Sequence, residues 1–115
     1  MADKTQSEII AKNLAMFRKL NGLTQSELAD AIGYSNKSVS KWERGEGLPD
    51  IIMLIFLSDI YGITVSELIG QTPYSRNTSE KIKALDKDRK ATEKAKRKAI
   101  EKAKKQKKKK LLYNH

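Results

Sequence analysis

The chain has no cysteine, and its single histidine, His115, is the last residue. Without thiols there is no disulfide framework, no thiolate metal site and no thiol nucleophile. A histidine at the terminal position has no packed neighbour to hold it in catalytic geometry. Neither a catalytic triad nor a histidine-ligated metal is therefore expected. No pair of carboxylates has a reason to be desolvated together, so an enzyme, a metal and a cofactor are all unexpected. Long apolar runs are equally scarce. The longest, Ile51 to Leu57, has seven residues, against about 20 needed to span a bilayer. Lys12, Asn13, Arg18 and Lys19 break the first apolar positions, unlike a secretory signal. The expectation is a soluble, cytoplasmic chain without membrane contact. At 115 residues it has room for one domain with an appendage.

What is present is charge, unevenly spread. The formal net charge is +10. Residues 1–70 hold 7 Lys/Arg against 9 Asp/Glu, a net of −2, whereas residues 71–115 hold 17 against 5, a net of +12. The whole basic excess lies in the C-terminal part and points to a polyanion. Composition alone fits nucleic acid or an acidic membrane, but the segment lacks an amphipathic face with large apolar residues, which disfavours the membrane.

Residues 6–70 read as short helices separated by turn signals. Ile10, Leu14, Phe17 and Leu20 recur at helical spacing, and Asn21-Gly22 stops that helix. Thr24 with Glu27 three residues on forms a capping box for a helix through Leu28, Ala29 and Ile32, ended by Gly33. Ser35 and Ser38 offer caps for a third helix with Val39 and Trp42 inward, closed by Gly45 and Gly47. Leu48-Pro49-Asp50 opens a fourth helix through Leu54, Leu57 and Ile60, ended near Gly62. Thr64 and Glu67 repeat the capping box for a short fifth helix ending at Gly70. No segment alternates with period two, so the fold class is all-α, without a sheet.

Residues 71–79 are rich in Thr, Pro, Tyr, Ser and Asn and read as a linker. Residues 80–115 form a Lys-rich tail, helical or disordered. Acid-before-base pairs four apart (Asp86/Lys90, Glu93/Arg97, Glu101/Lys105) support a helix. The apolar stripe of Ile82, Leu85, Ala91, Ala95, Ala99 and Ala103 is thin, and the heptad positions fail as a coiled-coil seam. The tail is expected to be solvated and to fray at Lys107 to Lys110.

Within residues 24–45, Gly33-Tyr34-Ser35 is a tight turn between two short helices. Asn36, Lys37, Ser40 and Lys41 share the outward face of the second helix. A helix-turn-helix needs these parts, since one helix must hold the next in the major groove. The full string runs from Gly22-Leu23-Thr24-Gln25-Ser26-Glu27-Leu28-Ala29 through Ile32-Gly33-Tyr34-Ser35 to Val39-Ser40-Lys41-Trp42-Glu43-Arg44-Gly45. It resembles the phage-repressor and Cro-like (XRE-type) helix-turn-helix family, and the likeness continues through Leu48-Pro49-Asp50 and Val65-Ser66-Glu67-Leu68. The resemblance implies a five-helix, lambda-repressor-like DNA-binding domain and a sequence-specific transcriptional regulator, a repressor in first reading, encoded by a bacterium or phage and associated with the nucleoid. It implies base reading by Asn36, Lys37, Ser40 and Lys41 and phosphate contacts from Thr24, Gln25 and Arg44. It also implies structural support from an Arg18–Glu43 ion pair and from Trp42.

The chain departs from the family pattern in two places, position 13 and the fourth helix. Position 13, often basic, is Asn13, so the domain has few cations for DNA. The tail is expected either to add grip along flanking DNA or to be a solubilising or degradation-sensitive extension. Ile52, Met53 and Phe56 replace commonly polar residues and form a candidate patch for a homodimer, or for docking of the tail through Ile82 and Leu85. The alternative function is an antitoxin-type protein that binds operator DNA and, through its tail, a protein partner.

Overall fold

The computed structural model describes residues 2–113, with side chains over residues 6–107; His115 and the side chains of Lys108 to Lys110 lie outside the described residues. The described chain is helical throughout: α1 (Ala2–Leu20), α2 (Gln25–Ile32), α3 (Asn36–Glu43), α4 (Ile51–Tyr61), α5 (Val65–Leu68), α6 (Arg76–Lys87) and α7 (Arg89–Tyr113). It contains no strand among the described residues.

The first five helices begin and end where local chemistry dictates. Thr24 accepts from the Glu27 N–H at 3.0 Å while its own N–H donates to Glu27 Oε1 at 2.9 Å, a closed capping box. Ser35 accepts from the Ser38 N–H, and Asp50 from the Met53 N–H. Gly33 and Gly62 end α2 and α4 in left-handed conformation, with φ of 76° and 69°. The core these helices enclose centres on Phe17, Val39, Leu57 and Leu68, all essentially without solvent exposure. Phe17 stacks on Tyr61 with ring centroids 6.0 Å apart.

The stretch after Gly70 is not a free linker. Tyr74 meets the Phe17 ring edge-on and donates its hydroxyl to Asn13 Oδ1 at 2.8 Å. Asn13 Nδ2 in turn donates to the Leu68 carbonyl at 2.9 Å. Asn13, the departure from a basic residue, is thus the joint between α1, α5 and the incoming chain. Glu67 is a second joint, accepting from the Thr64 N–H at 3.0 Å and the Ser75 N–H at 2.7 Å, so one carboxylate caps α5 and fixes the start of α6. Burial alone would raise its pKa. The N–H groups of Ser75 and Thr64, with the Thr78 and Thr64 hydroxyls, outweigh that and bring it to about 2.

The expectation of a solvated tail is corrected. α6 and α7 pack back onto the domain, α7 against both α2 and α4. Ala99 and Ala103 are as buried as any core residue, at 1% and 2% exposure. The thin stripe is the docking surface itself, because alanine lets two helix backbones approach closely even though it adds little apolar area. The two helices are separate: Asp88 adopts extended dihedrals, and its carboxylate accepts from the Lys90 N–H at 2.9 Å, opening α7. The α7 backbone is helical through the run of lysines to Tyr113.

Polar ties reinforce the docking. Lys96 Nζ lies 2.6 Å from Glu27 Oε2, and Gln106 donates to Asp59 Oδ2 at 2.6 Å. Lys81 and Lys102 donate to carbonyls at the C-terminal end of α4, where the helix dipole favours cations. Replacing Ala103 by Asp should therefore cost about 3 kcal/mol, because an unpaired carboxylate would be buried under α7. Lys105→Gln, on the outer face, should change stability by less than about 0.5 kcal/mol. Urea unfolding of the two variants checks this, and equal midpoints would mean that α7 is not docked in solution.

Candidate nucleic-acid interface

The second helix of the helix-turn-helix, α3, is held by one carboxylate. Glu43, in its last turn, accepts from Arg18 Nε at 2.6 Å and Arg18 Nη2 at 2.8 Å, a two-point clamp from α1. Gln25 Nε2, at the start of α2, donates to the same carboxylate at 3.1 Å. Arg18 Nη1 donates to the Leu23 carbonyl at 2.7 Å, so the turn between α1 and α2 joins the cluster. The two charged side chains are only 9% and 7% exposed. The hydrogen bond to Glu43 outweighs the desolvation of Arg18 and raises its pKa above the ordinary value. This is a buried lock between α1, α2 and α3.

The opposite side of α3 is anchored by packing. Val39 is fully buried, and Trp42 lies against Tyr34 with ring centroids 5.2 Å apart. Tyr34 belongs to the turn before α3, so that contact fixes the angle between the two helices of the motif. With these residues turned inward, Asn36, Lys37 and Lys41 are exposed and Ser40 half-exposed on the remaining face. They span an arc of about 140° at 100° per residue. Asn36, Lys37 and Lys41 make no side-chain hydrogen bond or ion pair among the described residues, so their donors are uncommitted.

The expected phosphate-contact residues are differently placed. Thr24 spends an oxygen lone pair on its cap, which leaves its hydroxyl proton free to donate. Gln25 commits one amide proton to Glu43 and keeps the other. Arg44 donates to Ser40 Oγ on α3 and to Glu46 in the loop that follows. Ser40 is thereby tied to Arg44 rather than standing alone on the reading face, a coupling that helical spacing does not reveal.

The patch of Ile52, Met53 and Phe56 is divided. Met53 is 2% exposed and Phe56 half-buried, both facing Ala103, Gln106 and Lys107 of α7, so the cover is α7 and not Ile82 and Leu85. Ile52 instead joins Ile51, Ile55 and Leu48 in an exposed apolar ridge, with 51%, 60%, 44% and 38% exposure respectively. Ile51 and Ile55 are one turn apart, the signal that would have found this ridge. Among the described residues no helix is long and apolar enough to cross a membrane, and no group of three His, Cys, Asp or Glu could hold a metal ion.

Comparison with known proteins agrees with this geometry. The sequence model of the helix-turn-helix family matches residues 14–68, from α1 to α5. The cryptic phage CTXphi transcriptional repressor RstR of Vibrio cholerae serotype O1 is 37% identical over 84 residues, covering 69% of this chain and 75% of that protein. An uncharacterised HTH-type transcriptional regulator of Bacillus subtilis, YazB, is 35% identical over 63 residues, 55% of this chain and 91% of that one. The HTH-type transcriptional activator BcrR of Enterococcus faecalis is 34% identical over 59 residues, 51% of this chain and only 29% of that one. No solved structure gives a significant match. The chain belongs to the XRE-like helix-turn-helix family.

The lock on α3 has a measurable consequence. Glu43→Ala leaves the Arg18 guanidinium buried without its partner and should cost about 3–5 kcal/mol. The double variant Arg18→Met/Glu43→Leu, which removes both charges, should recover most of that loss. Thermal and urea unfolding measure both. A single-variant cost below about 1 kcal/mol would place the pair among ordinary surface ion pairs.

Proposed function

We propose, from that membership, that the chain is a sequence-specific transcriptional regulator that lays α3 in the DNA major groove. The observation that carries the reading is the uncommitted face of α3. Asn36, Lys37 and Lys41 point outward with no partner among the described residues, on a helix locked from behind by Glu43, Val39 and Trp42. Asn suits the paired donor and acceptor of adenine, and Lys the acceptors of guanine. Ser40, held by Arg44, adds a weaker contact. Thr24 and Gln25, at the N-terminus of α2, and Arg44, beyond α3, take phosphate oxygens. The activity is repression by occupancy, without catalysis, in the compartment that holds the DNA. The repressor name of the Vibrio relative, which the match covers to 75% of its length, supports this sign of regulation.

The working unit is a homodimer. The exposed ridge of Leu48, Ile51, Ile52 and Ile55 is continuous and apolar, and a twofold pair would present two reading helices to paired half-sites. With a net charge of −2 over residues 1–70, one domain has few cations to neutralise phosphate, and a second copy doubles them.

Selection of binding sites from random duplex DNA, with parent and Lys37→Ala, tests the reading head. Lys37→Ala should lose preference at one or two base positions, a change of about 1–3 kcal/mol there. Uniform weakening across all sequences would reduce Lys37 to a phosphate contact. Sedimentation velocity tests the assembly: Ile55→Asp should convert the dimer to monomer, and a parent that is already monomeric removes the dimer.

A further inference from the structure

The lysines of α7 fall into two groups. Lys96 and Lys102 face the domain and are spent on Glu27 and on the Asp59 carbonyl. Arg97 and Lys105 point away from the domain, while Lys94 and Lys98 border the hollow beside Asn21 and Tyr61 and Lys104 borders that beside Glu27 and Asp30. With Glu101 these five fall within an arc of about 120°, opposite the buried Ala99 and Ala103, over a length of about 16 Å. All six are exposed. None makes a hydrogen bond or ion pair among the described residues, so the face carries five free cations against one acid.

Its direction follows from α2. Gln25 meets Glu43 of α3, and Glu27 meets Lys96 of α7. Two residues apart on a helix are about 200° apart in direction, so α3 and α7 grip nearly opposite sides of α2. The cationic face therefore lies beyond α2 from α3, on a different side of the domain from Asn36, Lys37 and Lys41.

We propose that the outer face of α7 is a second, sequence-independent DNA site, taking the phosphate backbone of a second duplex segment so that the protein bridges two stretches of DNA. The partner chemistry follows from what the face lacks. Among the described residues the six positions include no aromatic or aliphatic side chain of the kind that concentrates energy in protein interfaces, and Ile100 at their edge is half-buried. The six also include no large apolar residue to enter a bilayer. Unpaired cations in a straight row on a rigid helix suit a uniform polyanion, where counterion release supplies the free energy and base sequence is irrelevant. The inference rests on the reading that α3 holds the first duplex.

The test uses the full chain and two duplexes: one enriched by selection and fixed to beads, the other unselected and fluorescent. The parent should retain the fixed duplex and capture the fluorescent one. The variant Arg97→Gln/Lys98→Gln/Lys104→Gln/Lys105→Gln should retain the fixed duplex and keep its unfolding midpoint. Its capture of the second duplex should fall by about tenfold or more, since each lost phosphate contact also flattens the salt dependence. Because this variant keeps both reading heads of a dimer, bridging through paired heads would leave capture unchanged and overturn the proposal. Lys37→Ala/Lys41→Ala should lose the selected duplex yet still bind the unselected one at low salt; loss of both overturns a second site. If selection enriches nothing, the reading head fails while the binding of unselected duplex still decides the α7 face. Binding of phosphatidylserine vesicles without capture of a second duplex would assign the face to lipid and overturn the proposal.

Discussion

The Glu43 carboxylate is the point through which the geometry of the DNA-facing half is fixed. It takes three N–H donors, two from Arg18 on α1 and one from Gln25 on α2, while itself belonging to the end of α3. A charge so little exposed is tolerated only when its hydrogen-bonding capacity is met, and the two helices that meet it are those against which α3 must be oriented. Packing through Val39 and Trp42 supplies attraction but little direction. The carboxylate supplies direction: it accepts only donors that arrive along its lone pairs. Because the lock uses the inner end of α3, the outer side chains of Asn36, Lys37 and Lys41 are left without a hydrogen bond or ion pair among the described residues.

A second constraint is the close approach of α7 to α2 and α4. Alanine at 99 and 103 leaves no bulk between the backbones, so neighbouring polar groups of both elements are drawn within reach. Glu27 and Asp59 belong to the part of the chain with net charge −2, and Lys96 and Gln106 to the part with +12. Some of the charge asymmetry is therefore consumed inside the molecule. The bond to Lys96, with the Thr24 N–H, holds the Glu27 carboxyl below its ordinary pKa. The same residue closes the capping box of α2, so the docking of α7 and the start of the motif share a side chain.

Much of the domain was legible because its signals are local. A capping box, a serine or aspartate cap and a glycine past the last turn act over three or four residues and read directly from the string; the starts of α2 to α5 follow from them. The inward Val39 and Trp42 and the outward Asn36, Lys37 and Lys41 follow from helical period alone. What was not legible depends on distance in sequence. Asn13 is an anomaly in the string and a joint in the fold, because its partners are Leu68 and Tyr74. The alanines of α7 offer a single methyl group each, and only the presence of α2 and α4 opposite them turns a weak stripe into an interface. Asp88 was hidden by acid–base pairs on either side that suggest one continuous helix. Its role as the stop of α6 and the cap of α7 shows only in the backbone.

The docking of α7 also determines which surfaces remain. Without it, Met53 and Phe56 would extend the apolar ridge of α4 toward α2, giving a broad patch able to pair in several registers. Covering those two residues with Ala103, Gln106 and Lys107 leaves Ile51, Ile52 and Ile55 of α4, with Leu48 just before it, as the exposed apolar line at this helix. A narrow ridge on one helix restricts the orientations in which a second copy can bury it. The same rotation of α7 that turns its alanines inward must leave Arg97, Lys98, Lys104 and Lys105 exposed, since the two sets lie on opposite arcs of one helix. A single packing event thus trims the apolar surface and displays the basic one. That is why the described part of the basic segment, to Lys107, serves the molecule as folded structure and not as a diffuse cloud of charge.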